Sequence, residues 1–311
     1  MKKTLLATTL LVATAGLAAA EVTLSGSGRF GLVYDGDETS VHTRIRVNID
    51  AMTETDGGVT FGGRIRIQHR NNELYVVGGV INPPAAGIYS GATLSAAMLY
   101  MEANGFRVEV GNANGAYDSA GLMWNSEIGF TASSYGDPNN SYMGYFHSGP
   151  YNLAGDASPD AMGLFASYSA GDFTARVSYH EYWQGDIVTD DGEMSASLDW
   201  SSNGFSVSAA IVNSDWYGDT TYIGAAYAIG DSTNVGLNLF TGDYNDLITL
   251  YANHTLSNGV TIAGYVADQD NTDTAFGIGG SYDLGGGASI AGAYHDRGDE
   301  NYADFGVNFS F

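Results

Sequence analysis

Apolar side chains alternate with small or polar ones along almost the whole chain after residue 21. The clearest example is at the end, where the apolar positions are Ala303, Phe305, Val307, Phe309 and Phe311 and the intervening ones are Asp304, Gly306, Asn308 and Ser310. A period of two places successive side chains on opposite faces of a β-strand, whereas a helix needs a period of about 3.6 residues. No long stretch shows that helical period, so the pattern predicts an all-β protein.

Two kinds of connection separate the predicted strands, and they alternate strictly. The short turns fall at residues 54–58, 104–105, 170–172, 201–204, 230–233, 257–259 and 285–287. The longer and more acidic loops fall at residues 35–39, 70–92, 112–160, 182–193, 214–219, 241–245, 268–273 and 296–301. Seven turns and eight loops connect 16 antiparallel strands. An even strand number, with turns at one end and loops at the other, is typical of an outer-membrane β-barrel.

The alternative architecture is a soluble β-propeller or a stack of β-sandwiches. Aromatic residues argue against it, because they occupy apolar positions beside short turns: Tyr168 and Phe173 at one turn, Trp200 and Phe205 at another. This placement is typical of the aromatic girdle at a membrane interface. The opposite face is small and polar, whereas a propeller blade buries both faces. A transmembrane barrel is therefore the favoured prediction.

The first 20 residues have the layout of a secretory signal peptide. Lys2 and Lys3 form a basic start, residues 5–17 are apolar, and three alanines precede Glu21. We therefore predict a cleaved signal peptide at 1–20, a mature barrel domain at 21–311, and a location in the outer membrane of a Gram-negative bacterium.

The mature chain is strongly acidic. The sequence holds 35 Asp and Glu against 11 Lys and Arg, and both lysines leave with the signal peptide, so the mature net charge is 9 − 35 = −26. Such a chain lacks the basic surface that nucleic acid binding needs. Because there is no Cys, a disulfide framework, Cys-ligated zinc and a thiol nucleophile are excluded. The six histidines show no pairing with Ser or with one another at metal-ligand spacing, so we do not expect an enzyme.

Arginines cluster on the polar positions of the first three predicted strands. They are Arg29, Arg44, Arg46, Arg64 and Arg66. An Arg that faces lipid at mid-bilayer costs about 2–4 kcal/mol, so five of them would cost roughly 10–20 kcal/mol, more than a typical net stability of about 5–15 kcal/mol. We therefore expect all five to face the barrel lumen.

Symmetric folding at the first loop and turn would place Arg29 opposite Arg44, and Arg46 opposite Arg66. The five arginines would then form one basic patch, the alternative being five separately solvated side chains. Arg107 faces Glu102 across the 104–105 turn, which predicts a plain cross-strand ion pair.

Three segments resemble the alphaproteobacterial branch of general porins. Residues 21–26 (EVTLSG) resemble the mature start of that branch, 104–111 (NGFRVEVG) the strand before its constriction loop, and 281–290 (SYDLGGGASI) its penultimate hairpin. The resemblance implies a 16-stranded barrel, a homotrimer in the outer membrane among lipid and lipopolysaccharide, and passive diffusion of small hydrophilic solutes.

The 112–160 loop is long for a connection without regular alternation, and such loops are usually functional. It is rich in aromatic residues, holds no Lys or Arg, and carries the acids Asp118, Glu127, Asp137, Asp156 and Asp160. The porin resemblance implies that it folds into the barrel and narrows the pore. Its carboxylates would then face the arginines and create a transverse field, with Asp118 and Glu127 the best candidates. The alternative is an extracellular cap or a trimer contact.

Two motifs carry little weight. Residues 26–31 match G-x-G-x-x-G but lie inside a strand, without the following helix that a dinucleotide site needs. Asp268, Asp270 and Asp273 resemble the start of a calcium loop, but the glycine and distal glutamate of that motif are missing. We expect no cofactor beyond weak binding of Ca²⁺ or Mg²⁺ at these three residues.

Together these features predict a water-filled channel for passive diffusion of ions and small hydrophilic solutes. The alternative is a channel selective for one substrate, such as a sugar or an organic ion. An outer-membrane enzyme barrel has much less support.

Overall fold

The computed structural model describes residues 20–71, 75–77, 80–82, 92–140, 162–184, 187–215 and 217–311. The signal peptide predicted at 1–20 lies outside these ranges except for Ala20, so it stays a prediction; the first strand begins at Glu21. Within these ranges, no helix is long and apolar enough to cross a membrane.

Sixteen long antiparallel strands form one closed sheet. They are β1 (Glu21–Tyr34), β2 (Thr39–Glu54), β3 (Thr60–Asn71), β4 (Met98–Ala103), β5 (Phe106–Gly111), β6 (Met162–Ala170), β7 (Phe173–Gln184), β8 (Ile187–Ser202), β9 (Phe205–Ser214), β10 (Gly218–Ile229), β11 (Thr233–Gly242), β12 (Asp246–Thr255), β13 (Val260–Gln269), β14 (Ala275–Gly285), β15 (Ala288–Arg297) and β16 (Glu300–Ser310). Each strand pairs with its neighbours in the chain, and β1 also pairs with β16, which closes the barrel. The predicted strand number and barrel are confirmed.

Three smaller elements lie in the connections. Within the β3–β4 loop, Tyr75–Val77 pairs with Val80–Asn82 in a separate two-stranded sheet, and Thr93–Leu94 pairs with β3 just before β4 begins. A single 3₁₀ turn, Pro138–Asn140, lies in the β5–β6 loop.

The alternation along the strands separates an apolar outer face from a polar lumen. Phe30, Leu32 and Phe305 point outward and are 52%, 51% and 63% exposed. Aromatic rings near the short turns form a row on the same outer face: Trp200 lies 6.3 Å from Phe173 and 6.1 Å from Phe205 between ring centroids. The outward apolar face confirms the membrane barrel over the soluble alternatives.

Short turns follow from local backbone chemistry. In the hairpins at 104–105 and 203–204, Asn and Gly occupy the two central positions, and all four residues have positive φ. Two consecutive residues of this kind match the right-handed twist of the flanking strands, and Asn-Gly is the sequence that adopts them most readily. These turns therefore fix the registers of β4–β5 and β8–β9.

The predicted pairing of Arg46 with Arg66 is wrong. The turn between β2 and β3 closes at the pair Glu54 and Thr60, with Gly58 at a φ of 76°, one position later than the sequence predicted. A shift of one residue in the centre of a hairpin moves every cross-strand partner by two positions. Arg46 therefore lies opposite Gln68, and Arg66 opposite Asn48.

Candidate functional site

The described part of the β5–β6 loop, residues 112–140, is called the inner loop because it lies inside the barrel. Its residues make hydrogen bonds to side chains on the lumen face of seven strands, one of which is β1 through Arg29. The others are Ser178 on β7, Ser195 and Asp199 on β8, Asn238 on β11, Thr249 and Tyr251 on β12, Tyr265 on β13, and Tyr302 and Asp304 on β16. The predicted inward fold is confirmed for these residues, and the alternative of an extracellular cap is wrong for them.

The course of the inner loop determines where the open part of the lumen lies. It leaves β5 past β7, where the Ala116 N–H donates to Ser178 Oγ at 2.8 Å, and follows the wall round to β16. It then turns back, and the Gly136 carbonyl accepts from Thr249 Oγ1 on β12 at 2.9 Å. Because the loop covers the wall from β7 to β16, the arginines of β2 and β3 face it across the lumen.

Aromatic side chains hold the inner loop against this wall, as its composition predicted. Tyr117 and Phe130 are each 1% exposed. Tyr117 packs with the buried wall residues Tyr222, Phe240 and Tyr251 in the largest apolar cluster. The loop is thus a packed structural element.

Three arginines lie in one row across three neighbouring strands. Arg44 on β2 is directly opposite Arg29 on β1 and also opposite Arg70 on β3. The predicted Arg29–Arg44 pair is confirmed, whereas Arg70 was not predicted as a member. Neighbouring strands are about 4.8 Å apart, so the row concentrates positive charge on a small area of wall.

The remaining predicted arginines face the lumen beside polar partners on their own wall. Arg46 Nε donates to Gln68 Oε1 at 2.7 Å. Arg64 Nε lies 2.6 Å from Asp50 Oδ1, and both side chains are partly exposed. Arg64 therefore contributes an ion pair, and Arg46 a hydrogen bond to a neutral partner.

Arg29 contacts the inner loop directly. Its Nη1 donates to the Thr131 carbonyl at 2.6 Å, and its Nε donates to His42 Nε2 at 3.0 Å. His42 must carry its ring proton on Nδ1 in this arrangement, because Nε2 is the acceptor.

The acids of the inner loop differ in their surroundings. Glu127 is half-buried. Burial, together with the carboxylates of Asp137 and Asp118, raises the pKa of Glu127 well above its usual range, against the opposite influence of Arg29 and Arg44. Glu127 therefore interacts electrostatically with Arg29 and Arg44 of the arginine row.

Asp118 is also half-buried, and its backbone carbonyl accepts a hydrogen bond from Trp124 Nε1 at 2.9 Å. Asp137 is 1% exposed, and its Oδ1 accepts from the Asn139 N–H at 2.9 Å, so its carboxylate is enclosed by protein. Asp156 and Asp160 lie outside the described residues.

The predicted Arg107–Glu102 ion pair is confirmed at 2.9 Å. Arg107 also contacts Glu109 at 2.6 Å, and its guanidinium lies 3.8 Å from the centroid of the Tyr100 ring. This group lies beside the 104–105 turn, away from the arginine row.

The acidic loop between β13 and β14 shows no cation site. Asp268 Oδ1 accepts from Thr274 Oγ1 at 2.9 Å, and Asp270 Oδ2 accepts from the Asp246 N–H at 3.4 Å. Across the described residues, no three metal-ligating side chains gather in a group that could hold a metal ion. Weak cation binding at Asp268, Asp270 and Asp273 stays a prediction.

Sequence reasoning missed Asp304, His42, Asp50 and Arg70 as members of the site. All four lie at polar positions of strands in which apolar and polar residues alternate, so the pattern predicts that they face the lumen. Their partners were not readable, because they depend on strand register or on loop residues far away in the chain.

Comparison with known proteins agrees with this geometry. The family model of the Gram-negative porins matches residues 7–304. A porin of Fuscovulum blasticum is 34% identical over 310 residues, covering 94% of this chain and all of that protein, and a porin of Rhodobacter capsulatus is 28% identical over 328 residues, with the same coverage. A solved structure of a triple mutant of the Rhodopseudomonas blastica porin superposes with a TM-score of 0.81 at 31% identity, covering 94% of this chain and all of that one. The chain belongs to the Gram-negative porin family and forms an outer-membrane channel for passive diffusion.

Proposed function

We propose that this channel is a general diffusion pore for ions and small hydrophilic solutes. Its narrowest section lies between the inner loop and the arginine wall, meaning the lumen-facing side chains of Arg44, Arg46, Arg66 and Arg70. The observation that supports the proposal most directly is the placement of Glu127 on the inner loop, where it interacts electrostatically with Arg44 on β2.

Opposite charges on the two sides of a narrow aqueous gap create a field across the pore. Such a field acts on dipoles and ions that pass within a few ångströms of the side chains, and it orders the water that an apolar solute would have to displace. The arrangement therefore favours hydrophilic solutes as a class and selects among them mainly by size.

Single channels in planar lipid bilayers test the proposal. Sugars of increasing size, added to both sides, should reduce ion conductance in a graded way until a size is reached that no longer enters. A selective channel would behave differently. Saturable block by one sugar or one organic ion, with no effect of others of equal size, would contradict a general pore.

We also propose that three copies of the chain associate in the membrane, as the porin resemblance implies. Native mass spectrometry in mild detergent should show three chains per particle. Amine-directed cross-linking is unsuitable, because the mature chain has no Lys. The same spectra also test the predicted signal peptide. The subunit should have the mass of a chain that begins at Glu21, and a subunit that still carries Met1 would contradict the prediction.

A further inference from the structure

The tip of the inner loop, residues 128–133, is docked on the seam where β1 pairs with β16. Ile128 and Ser133 form an isolated β-bridge, so the tip is a small hairpin. Gly129 lies in this hairpin with a φ of 80°, and a Cβ at this position would lie only 2.4 Å from Asp304 Oδ1. A glycine at this position lets the hairpin reverse and lets the carboxylate of β16 approach its backbone.

Asp304 binds the tip through both carboxylate oxygens. Its Oδ1 accepts from the Phe130 N–H at 3.0 Å and from the Ala293 N–H of β15 at 3.1 Å. Its Oδ2 accepts from the Thr131 N–H at 3.1 Å and from the Thr131 hydroxyl. Asp304 is only 6% exposed, so these four bonds replace the hydration of a buried carboxylate.

Every polar group of Thr131 is engaged by the wall. Besides the bonds to Asp304, the Thr131 carbonyl accepts from Arg29 Nη1 at 2.6 Å, and its Oγ1 accepts from the Tyr302 hydroxyl at 2.9 Å. Hydrogen bonds to charged groups contribute more than neutral ones, so Asp304 and Arg29 dominate this attachment.

Phe130 fills a socket on the same seam. Gly31 of β1 and Gly306 of β16 are directly opposite each other, and a Cβ on either would come within 2.9 Å and 2.8 Å of the Phe130 ring. The ring of His42 meets Phe130 edge-on at 5.6 Å between centroids. The tip is therefore fixed by shape as well as by charge.

We propose that Asp304 is a positioning residue that sets the bore and the ion selectivity of the pore. It touches no permeating solute in this role. It holds the tip against the seam, and through the tip it holds Glu127, three residues before Phe130, at its distance from the arginine wall. The inference rests on the proposed constriction.

The direct test compares Asp304→Ala and Asp304→Asn with Asn308→Ala, a matched control on the same strand and the same lumen face. In Asp304→Ala the released tip should increase single-channel conductance, current noise and the largest sugar that enters, and it should weaken ion selectivity. Asp304→Asn, which keeps the shape and part of the hydrogen bonding, should be intermediate. Asn308→Ala should match the wild type.

A merely structural role for Asp304 would lower the urea midpoint of unfolding while leaving these channel properties unchanged. Wild-type conductance, noise and size limit in a folded Asp304→Ala barrel would therefore overturn the inference. If that variant does not fold, Thr131→Val and Tyr302→Phe test the same attachment by removing one hydroxyl each. Both variants should show more current noise than the wild type. Wild-type noise in both variants would also overturn the inference.

The two proposals fail in different ways. If exclusion of sugars by the wild-type channel does not depend on their size, the proposed general pore is contradicted. If the wild-type channel excludes sugars by size and Asp304→Ala has the same size limit, only the positioning role is contradicted.

Discussion

Protonation of Glu127 changes the charge of the inner loop. Because its pKa is raised, Glu127 becomes neutral on acidification before ordinary carboxylates, which titrate near about 4.3, do so. The constriction then loses one negative charge while the arginine wall keeps all of its positive charge. Lowering the pH should therefore shift the reversal potential toward anions.

Glu127→Gln provides the measurement. We expect the variant to be more anion-preferring than the wild type in alkaline solution, and the two to converge as the pH falls through the raised pKa of Glu127. Asp231→Asn is the matched control, since it removes the same charge from an exposed position in the turn between β10 and β11. A difference between wild type and Glu127→Gln that stays constant over this pH range would contradict the assignment.

The arginine row should have the opposite effect on selectivity. Replacing Arg44 and Arg70 by Gln removes two charges that face each other across β2 and β3, and it should shift the reversal potential toward cations. Conductance should persist, because the wall of the barrel holds the lumen open. If both reversal potential and conductance equal those of the wild type, the row does not lie on the ion path.

Residue orientation was predictable from the sequence, but residue pairing was only partly so. Period two placed all five predicted arginines in the lumen, and the tight 104–105 turn gave the Arg107–Glu102 pair correctly. The longer β2–β3 turn did not reveal its centre, so the Arg64–Asp50 ion pair and the membership of Arg70 were missed. Orientation depends on parity alone, whereas pairing depends on the backbone conformation of each turn.

Among the elements, β16 gives a direct test of the two faces of the barrel. Phe305 points to lipid near the middle of the strand, whereas Asn308 points to the lumen. Phe305→Arg should lower the free energy of unfolding in lipid vesicles by about 2–4 kcal/mol, because a guanidinium at mid-bilayer loses its hydration. Asn308→Arg keeps its charge in water and should cost much less. Equal losses in both variants would mean that the assigned faces are wrong.

The inner loop was the element least accessible to sequence reasoning. Its length and acidic, aromatic composition indicated a functional segment, and only the porin resemblance placed it inside the barrel. Its attachment joins residues as distant as Thr131 and Asp304, 173 positions apart. No local pattern carries such a contact, since it exists only after the sheet has closed.

On the scale of the whole molecule, the chain is strongly acidic, and 32 of its 35 acidic residues lie outside the inner loop (35 − 3 = 32). Charges at the mouths act on permeating ions only within about a Debye length, which is about 3 Å at 1 M salt and about 30 Å at 0.01 M. Cation preference should therefore increase steadily as salt is diluted, in the Arg44→Gln, Arg70→Gln and Glu127→Gln variants as well. A selectivity independent of salt would show that the constriction alone determines it.

The socket for Phe130 also has a consequence for how the barrel is assembled. Gly31 and Gly306 belong to the first and the last strand, so the socket does not exist in a sheet that is still open. Docking of Phe130 in this socket therefore requires that β1 and β16 are already paired. A slip of β16 along β1 by two residues would preserve the hydrogen-bonded wall but separate the two glycines. The tip of the inner loop would then lose its docking site, although the rest of the loop would keep its contacts with β7 to β13. Docking of the tip therefore depends on closure of the barrel in the correct register.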